Sequence, residues 1–114
     1  MFDQRTGNRR LVRWKAAVIP VNTEHVIQAF CTEVAPKGLA MFCKEQLQVN
    51  TTYRIIIAVP DLTHSTQSYV EVYGKPVYSS LVGSNGEFRT GMKLTEVSPE
   101  YKAKLEQYSR NQNV

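Results

Sequence analysis

The feature that most constrains the fold is the stretch TYRIIIAV at residues 52–59, which is dense in β-branched and aromatic side chains. Such side chains fit the pleated, half-buried surface of a sheet. Pro60 follows directly, and proline ends a strand because it has no N–H to donate. This stretch predicts a strand. Similar apolar runs predict further strands, at residues 11–20, 25–35, 39–43, 67–82 and 87–95.

Turn signals separate these runs. Pro36-Lys37-Gly38 predicts a tight turn, in which we expect Gly38 to use the positive φ that glycine tolerates. Gly83-Ser84-Asn85-Gly86 predicts a hairpin turn on the same grounds. Gly74-Lys75-Pro76 predicts either a bend or bulge in one long strand, or a break between two.

A helix is predicted after the last strand. Ser98 can cap it, Pro99 suits its first position, and Glu100 favours the positive end of the helix dipole. Tyr101, Leu105 and Tyr108 follow at the spacing of one helix face, so this face can lie on the sheet. We expect the helix to fade near Arg110.

Together these patterns predict a mainly β protein: a small six- or seven-stranded antiparallel barrel with one C-terminal helix, since closure removes the sheet edges. With 114 residues the chain is predicted to form one domain at residues 11–110. Residues 1–10 are predicted to be a flexible Arg-rich leader and residues 111–114 a tail. No run has the length of a membrane span or a signal peptide, which favours the cytoplasm.

Two side-chain arrangements follow from the strand at residues 25–35. Strict alternation would place Cys31, Glu33 and Ala35 on one face and Val34 on the other. Cys31 and Cys43 lie in apolar runs that could face one another in a hairpin. In a reducing compartment both are predicted to be small buried side chains rather than a disulfide.

The sequence lacks the motifs of several classes of enzyme and metal-binding protein. His25 and His64 lie far apart without a recognisable triad, and the chain has no phosphate loop, catalytic carboxylate pair or metal-ligand cluster. The sequence therefore favours a non-enzymatic protein without a metal. The net charge of +4 arises entirely within residues 1–15, and the remainder is neutral. This local basicity suits a compact anion better than a long nucleic acid.

The basic cluster has a specific spacing. Arg9, Arg10 and Arg13 stand in RRLVR, just ahead of and within the first predicted strand. Arginine is rarely buried without a partner. Its guanidinium group binds phosphate with two parallel hydrogen bonds and stacks on aromatic rings. A solvated basic tail is the plain alternative for such a cluster.

In order and spacing, the chain resembles the PilZ domain family, whose members bind cyclic di-GMP with RxxxR and [D/N]xSxxG motifs. Arg9 to Arg13 matches the first motif. The sequence EVAPKG at residues 33–38 aligns with the second, where only Gly38 matches; Glu33 replaces Asp or Asn, and Ala35 replaces Ser. Gly91 and the Ser98-Pro99 helix start also lie where the family places such residues.

The resemblance implies a non-catalytic bacterial cyclic di-GMP receptor in the cytoplasm that relays the second messenger to an unidentified protein partner. The implied ligand-binding residues are Arg9, Arg10, Arg13, Glu33, Ala35 and Gly38, with no other cofactor. Arginine can pair with a guanine edge as well as with phosphate. The hydroxyl lost at Ala35 corresponds to about 0.5–1.5 kcal/mol of binding.

Two alternatives remain open at this stage. Because of its departures in the second motif, the chain could be a degenerate PilZ-type adaptor that binds protein partners in motility or pilus function without nucleotide. It could also be a small barrel that binds single strands of nucleic acid, for which Tyr53-Arg54 and Phe88-Arg89 are weak signals. The neutral charge of residues 16–114 makes nucleic acid the less favoured partner.

Overall fold

The computed structural model describes residues 10–61, 66–83 and 86–112, with side chains through Tyr108. The chain forms six strands and one helix. The strands are β1 (Arg10–Pro20), β2 (Ile27–Ala35), β3 (Gly38–Cys43), β4 (Tyr53–Pro60), β5 (Gln67–Val82) and β6 (Glu87–Val97), and the helix is α1 (Pro99–Gln112).

The six strands close into an antiparallel barrel in the order β1-β2-β3-β6-β5-β4. This confirms the predicted fold class, with six strands and the C-terminal helix. The core lies inside the barrel. Its most completely buried side chains come from all six strands and from α1; they include Val18, Val34, Leu39, Met41, Ile55, Ile57, Val72, Met92 and Tyr101.

The predicted strand boundaries differ from the observed ones by at most two residues. Gln67–Val82 is a single 16-residue strand, so the continuous-strand alternative is correct. Its pairing with β6 shifts at Tyr73/Gly74 and again at Pro76/Tyr78, where the sequence contains Gly74-Lys75-Pro76. Arg10 belongs to β1 rather than to a leader, and residues 1–9 lie outside the described part of the chain.

Helix α1 packs on one end of the barrel through its predicted face. Tyr101 and Leu105 are buried, and Tyr108 is half-buried against the same core. The Ser98 hydroxyl accepts a hydrogen bond from the Tyr101 N–H at 3.3 Å, as expected of a capping serine. The ring of Tyr108 meets Trp14 of β1 edge-on, with centroids 5.1 Å apart.

The two cysteines are both buried and free. They do not face one another: Cys31 pairs with Met41, and Cys43 pairs with Ala29. Burial raises the pKa of the Cys31 thiol to about 12 and also raises that of Cys43. Both thiols therefore stay protonated at neutral pH and pack as apolar side chains.

Candidate functional site

The register of three strands gathers most of the candidate residues at one edge of the barrel. Arg10 pairs with Val34, and Leu11 pairs with Glu33 across β1 and β2. Ala35 pairs with Gly38 across β2 and β3, and Pro36-Lys37 forms the two-residue turn between them. Arg10, Glu33, Ala35 and Gly38 are thus near neighbours. Arg9, the first residue of the RxxxR spacing, lies outside the described residues.

Bulges in β1 and β2 decide which of these side chains face outward. The β1–β2 register shifts between Leu11 and Trp14, and the β2–β3 register shifts between Cys31 and Glu33. Cys31 and Val34 are both fully buried although they stand three residues apart. The strict alternation predicted for β2 is therefore wrong beyond Cys31, because the extra residue moves Val34 to the inner face. Glu33, between them and paired with exposed Leu11, lies on the outer face.

Glu33 lies within reach of a cation from another strand. Its side chain is 13% exposed, and its Oε2 lies 3.9 Å from Nη2 of Arg89 on β6. Between them lies Ala40 of β3, which pairs with both Glu33 and Gly91. A small residue at this position leaves room for the long glutamate side chain to extend toward β6.

The two described arginines of the RxxxR spacing differ in environment. Arg13 is exposed, and its guanidinium carbon lies 4.6 Å from the centroid of the Phe30 ring, which is a cation–π contact. Arg10 is half-buried and pairs with the inward-facing Val34. Directly opposed residues of antiparallel strands share a face. The side chains of Arg10 and Arg13 therefore lie on different sides of β1.

Gly38 does not have the predicted backbone conformation. Among the described residues, positive φ occurs at Asn22, Asn50, Gly83 and Gly86, and Gly38 is not one of them. The Pro36-Lys37 turn closes without a left-handed residue, because proline already supplies the φ that the first central turn position needs. Gly38 is instead the buried first residue of β3. Gly83 and Gly86 flank the β5–β6 turn with positive φ, while Ser84 and Asn85 lie outside the described residues.

Helix α1 is bonded directly to this edge. The Tyr101 hydroxyl donates to the backbone carbonyl of Ala35 at 2.6 Å, and the Leu94 N–H donates to the Lys37 carbonyl at 3.0 Å. Burial raises the pKa of Tyr101 above its ordinary value, so the phenol remains a donor. The β2–β3 turn is thereby held against the helix and β6.

A second set of contacts anchors α1 near Arg13. The Tyr108 hydroxyl donates to the Pro60 carbonyl at 2.7 Å, and Lys104 Nζ donates to Asp61 at 2.9 Å. Beside them an open groove of about 350 Å³ runs between β1 and the end of β4. It is lined by Arg13, Trp14, Lys15, Ala58, Pro60, Asp61, Thr66 and Gln67. Arg13 therefore borders both this groove and the outer face of β2.

Sequence reasoning did not identify Phe30, Phe42 or Arg89 as candidate residues. In the barrel Phe30 pairs with Phe42, and Phe42 pairs with Arg89. The pair Phe88-Arg89 was noted only as a weak signal for nucleic acid. Nothing in the linear sequence shows that Arg89 lies two strands away from Glu33, because this depends on β6 pairing with β3 rather than only with β5.

The described part of the chain contains neither a candidate metal site nor a helix that could span a membrane. Within 10–61, 66–83 and 86–112, no three or more His, Cys, Asp or Glu side chains come together in a way that could hold a metal ion. In the same ranges, no helix has the length and apolar character needed to cross a membrane.

The comparisons with known proteins bear on the fold. No protein-family model matches the sequence, and no curated protein matches it. Among solved structures, the barrel is similar to a PilZ-like fold. One solved structure with a similar fold is that of the Bacillus subtilis inhibitor of motility MotI/DgrA, with a TM-score of 0.74 and 16% sequence identity. The match covers 92% of this chain and 49% of the other, so this chain spans about half the length of that protein. At this identity the likeness shows the fold alone.

Proposed function

We propose that this protein is a non-catalytic cyclic di-GMP receptor that acts in the cytoplasm and relays the second messenger to a protein partner. The observation that carries the proposal is the register of β1, β2 and β3. It brings Arg10, Glu33, Ala35 and Gly38 to one barrel edge, with Arg13 on the adjoining outer face. These are the described residues that the two family motifs pick out.

The chemistry of the edge suits a ligand with two phosphates and two guanines. Arg13 is exposed and can donate a pair of hydrogen bonds to phosphate or to a guanine edge. Arg10 shares a face with buried Val34, which assigns it a smaller part in binding. Glu33 lies on the outer face, where a carboxylate can accept hydrogen bonds from the N–H groups of a guanine.

Calorimetric titration with cyclic di-GMP tests the proposal. Arg9→Ala and Arg13→Ala should each weaken binding by about 1.5–3 kcal/mol, the range for hydrogen bonds to charged groups. Arg10→Ala should weaken it less. Arg54→Ala is the matched control, because Arg54 is an exposed arginine on β4 that forms an ion pair with Glu71. Affinity should also fall with added salt, since the Arg13 guanidinium group that would meet phosphate is exposed.

Titration of the unmutated protein decides between the receptor proposal and the alternative of a protein that does not bind cyclic di-GMP. If neither the parent nor Glu33→Asp/Ala35→Ser binds cyclic di-GMP at millimolar concentration, the receptor proposal is wrong. Equal affinities of Arg13→Ala and Arg54→Ala would leave a binding protein whose ligand sits elsewhere.

A second candidate is a protein-binding adaptor that does not use nucleotide. The observation that favours it is that Glu33 already lies beside Arg89, while Ala35 has no hydroxyl to offer a ligand. The motility inhibitor with a similar fold gives the kind of process in which such an adaptor could act. Under this proposal the parent protein would capture its partner equally well with and without cyclic di-GMP.

A further inference from the structure

One row of outward-facing side chains crosses four strands, next to the barrel edge that carries Glu33, Ala35 and Gly38. Lys15 of β1 pairs with Phe30 of β2, Phe30 with Phe42 of β3, and Phe42 with Arg89 of β6. Their sequence neighbours Ala29, Cys31, Met41, Cys43 and Thr90 are buried inside the barrel. The row therefore lies on the outer surface, where it spans three inter-strand spacings, or about 14 Å.

The two phenylalanines are only partly covered. Both Phe30 and Phe42 are half-buried although neither belongs to the core. Arg13 covers part of Phe30 through its cation–π contact. Phe42 lies between this contact and Arg89, whose side chain is about half exposed. An aromatic surface with a guanidinium group on each side is suited to a planar, electron-rich ring.

The outward positions beside Phe42 and Arg89 hold small residues. Two residues along β3 from Phe42 is Ala40, and two residues along β6 from Arg89 is Gly91. These share the outer face, because strand side chains alternate. The Tyr78 ring covers Gly91 so closely that an added Cβ would lie 2.4 Å from it. Ala40 and Gly91 are both buried, so the accessible surface between Glu33 and Tyr78 belongs to Phe42 and Arg89.

Arg89 can change its partner. Its Nη2 lies 3.9 Å from Glu33, whereas a charge-assisted hydrogen bond between such groups measures about 2.7–2.9 Å. A guanine offers O6 and N7 as two adjacent acceptors that match the arginine fork. A base resting on Phe42 would present this edge toward β6.

We propose that Phe42 and Arg89 form a guanine subsite, in which the base stacks on Phe42 and Arg89 donates to its O6/N7 edge. Phe30 is a positioning residue that holds Arg13 beside this subsite. The inference rests on the proposed function. It extends the proposed binding site from the barrel edge with Glu33, Ala35 and Gly38 across β3 to β6.

Titrations with cyclic di-GMP and cyclic di-AMP test it, since the two probes differ only in the bases. Base–aromatic stacking tolerates any base. Phe42→Leu should therefore weaken both probes alike, on the order of 5- to 100-fold. Arg89→Gln should weaken cyclic di-GMP on the order of tenfold and move the guanine-to-adenine preference toward one. Phe42→Trp should keep the affinity of the parent.

Matched controls come from the other side of the barrel. Tyr69→Leu removes an exposed aromatic ring of β5, and Arg54→Gln removes an exposed arginine of β4. Neither should change affinity or base preference. If Phe42→Leu is not folded at the assay temperature, the parent itself supplies the readout. The guanine H8 resonance should then move upfield on binding, because a stacked aromatic ring shields it.

The outcomes separate the two proposals. If the parent binds cyclic di-GMP but Phe42→Leu binds equally well, or if H8 does not move, the subsite is wrong and the receptor function stands. An unchanged base preference in Arg89→Gln also overturns the subsite. A parent that binds neither cyclic dinucleotide overturns both proposals. Binding of a single-stranded oligonucleotide by such a parent would assign the row to nucleic acid instead.

Discussion

Strands β4 and β2 have similar lengths but opposite characters. β4 pairs with β5 over eight consecutive residues without a shift, and Tyr53, Ile55, Ile57 and Val59 all point into the core. β2 follows the same alternation only to Cys31, after which one extra residue interrupts its pairing with β3. Beyond that point the outer face carries Glu33. A regular strand stabilises the barrel, and a bulged strand redirects side chains toward a surface site.

The largest expected effect concerns the regular strand. Ile57→Ala should lower the free energy of unfolding by about 2–5 kcal/mol, because Ile57 is fully buried and its removal leaves a cavity. Ile56→Ala, at the half-buried neighbouring position, is the control and should cost less. Urea denaturation measures both. Equal losses would show that β4 does not separate an inner from an outer face as its register implies.

The next effect concerns the bond between α1 and the bulged strand. Tyr101→Phe keeps the buried ring but leaves the Ala35 carbonyl without this donor, which should lower stability by about 1–3 kcal/mol. Tyr108→Phe removes a similar bond to Pro60 at a more exposed position and should lower it less. Thermal or urea unfolding of the two variants measures the difference. If Tyr108→Phe is the more damaging, Tyr101 contributes by packing alone.

A third effect depends on pH and on Cys31, the last inward residue before the β2 bulge. Its folded-state pKa is raised by burial from 9.0 to about 12. The folded thiol therefore keeps a proton that the unfolded chain releases above pH 9. The contribution of this pKa shift to the free energy of unfolding should be fully present below pH 9. It should fall as the pH rises toward 12, by at most roughly 1.4 kcal/mol per pH unit.

Urea unfolding between pH 8 and pH 11 checks this dependence. Tyr101 and Cys43 also have raised pKa values and contribute a fall of the same sign, so the informative quantity is the slope of Cys31→Ala relative to that of the parent. Cys31→Ala should have the shallower slope. Parallel slopes would show that the Cys31 thiol ionises as easily in the folded state as in the unfolded chain.

The same contrast explains what the sequence could predict. The six strands and the helix follow from β-branched runs, turn residues and the Ser98 cap, all of which are local signals. The bulges are not local: the extra residue in β2 is defined only by its pairing with β3, and the extra residue in β1 only by its pairing with β2. The inward position of Val34, the outward position of Glu33 and its approach to Arg89 could not be predicted for that reason. The negative φ of Gly38 likewise depends on how Pro36-Lys37 closes the turn.

The smallest expected effect is a gain in affinity for cyclic di-GMP. It tests most directly whether the bulged strand β2 serves ligand binding. Glu33→Asp/Ala35→Ser restores both departures from the family motif. Asp is one methylene shorter and should lie farther from Arg89, which leaves that guanidinium group available to a ligand. The serine hydroxyl can add a hydrogen bond worth about 0.5–1.5 kcal/mol. Cyclic di-GMP should then bind roughly tenfold more tightly than to the parent.

A gain cannot easily result from unfolding, so this experiment is more informative than a further loss. The single variants supply the control. Glu33→Asp acts through Arg89, and its benefit should therefore disappear in an Arg89→Gln background, whereas that of Ala35→Ser should persist. If the double variant binds no better than the parent, the outward turn of β2 beyond its bulge does not serve cyclic di-GMP. The adaptor function would then be the better account of this edge.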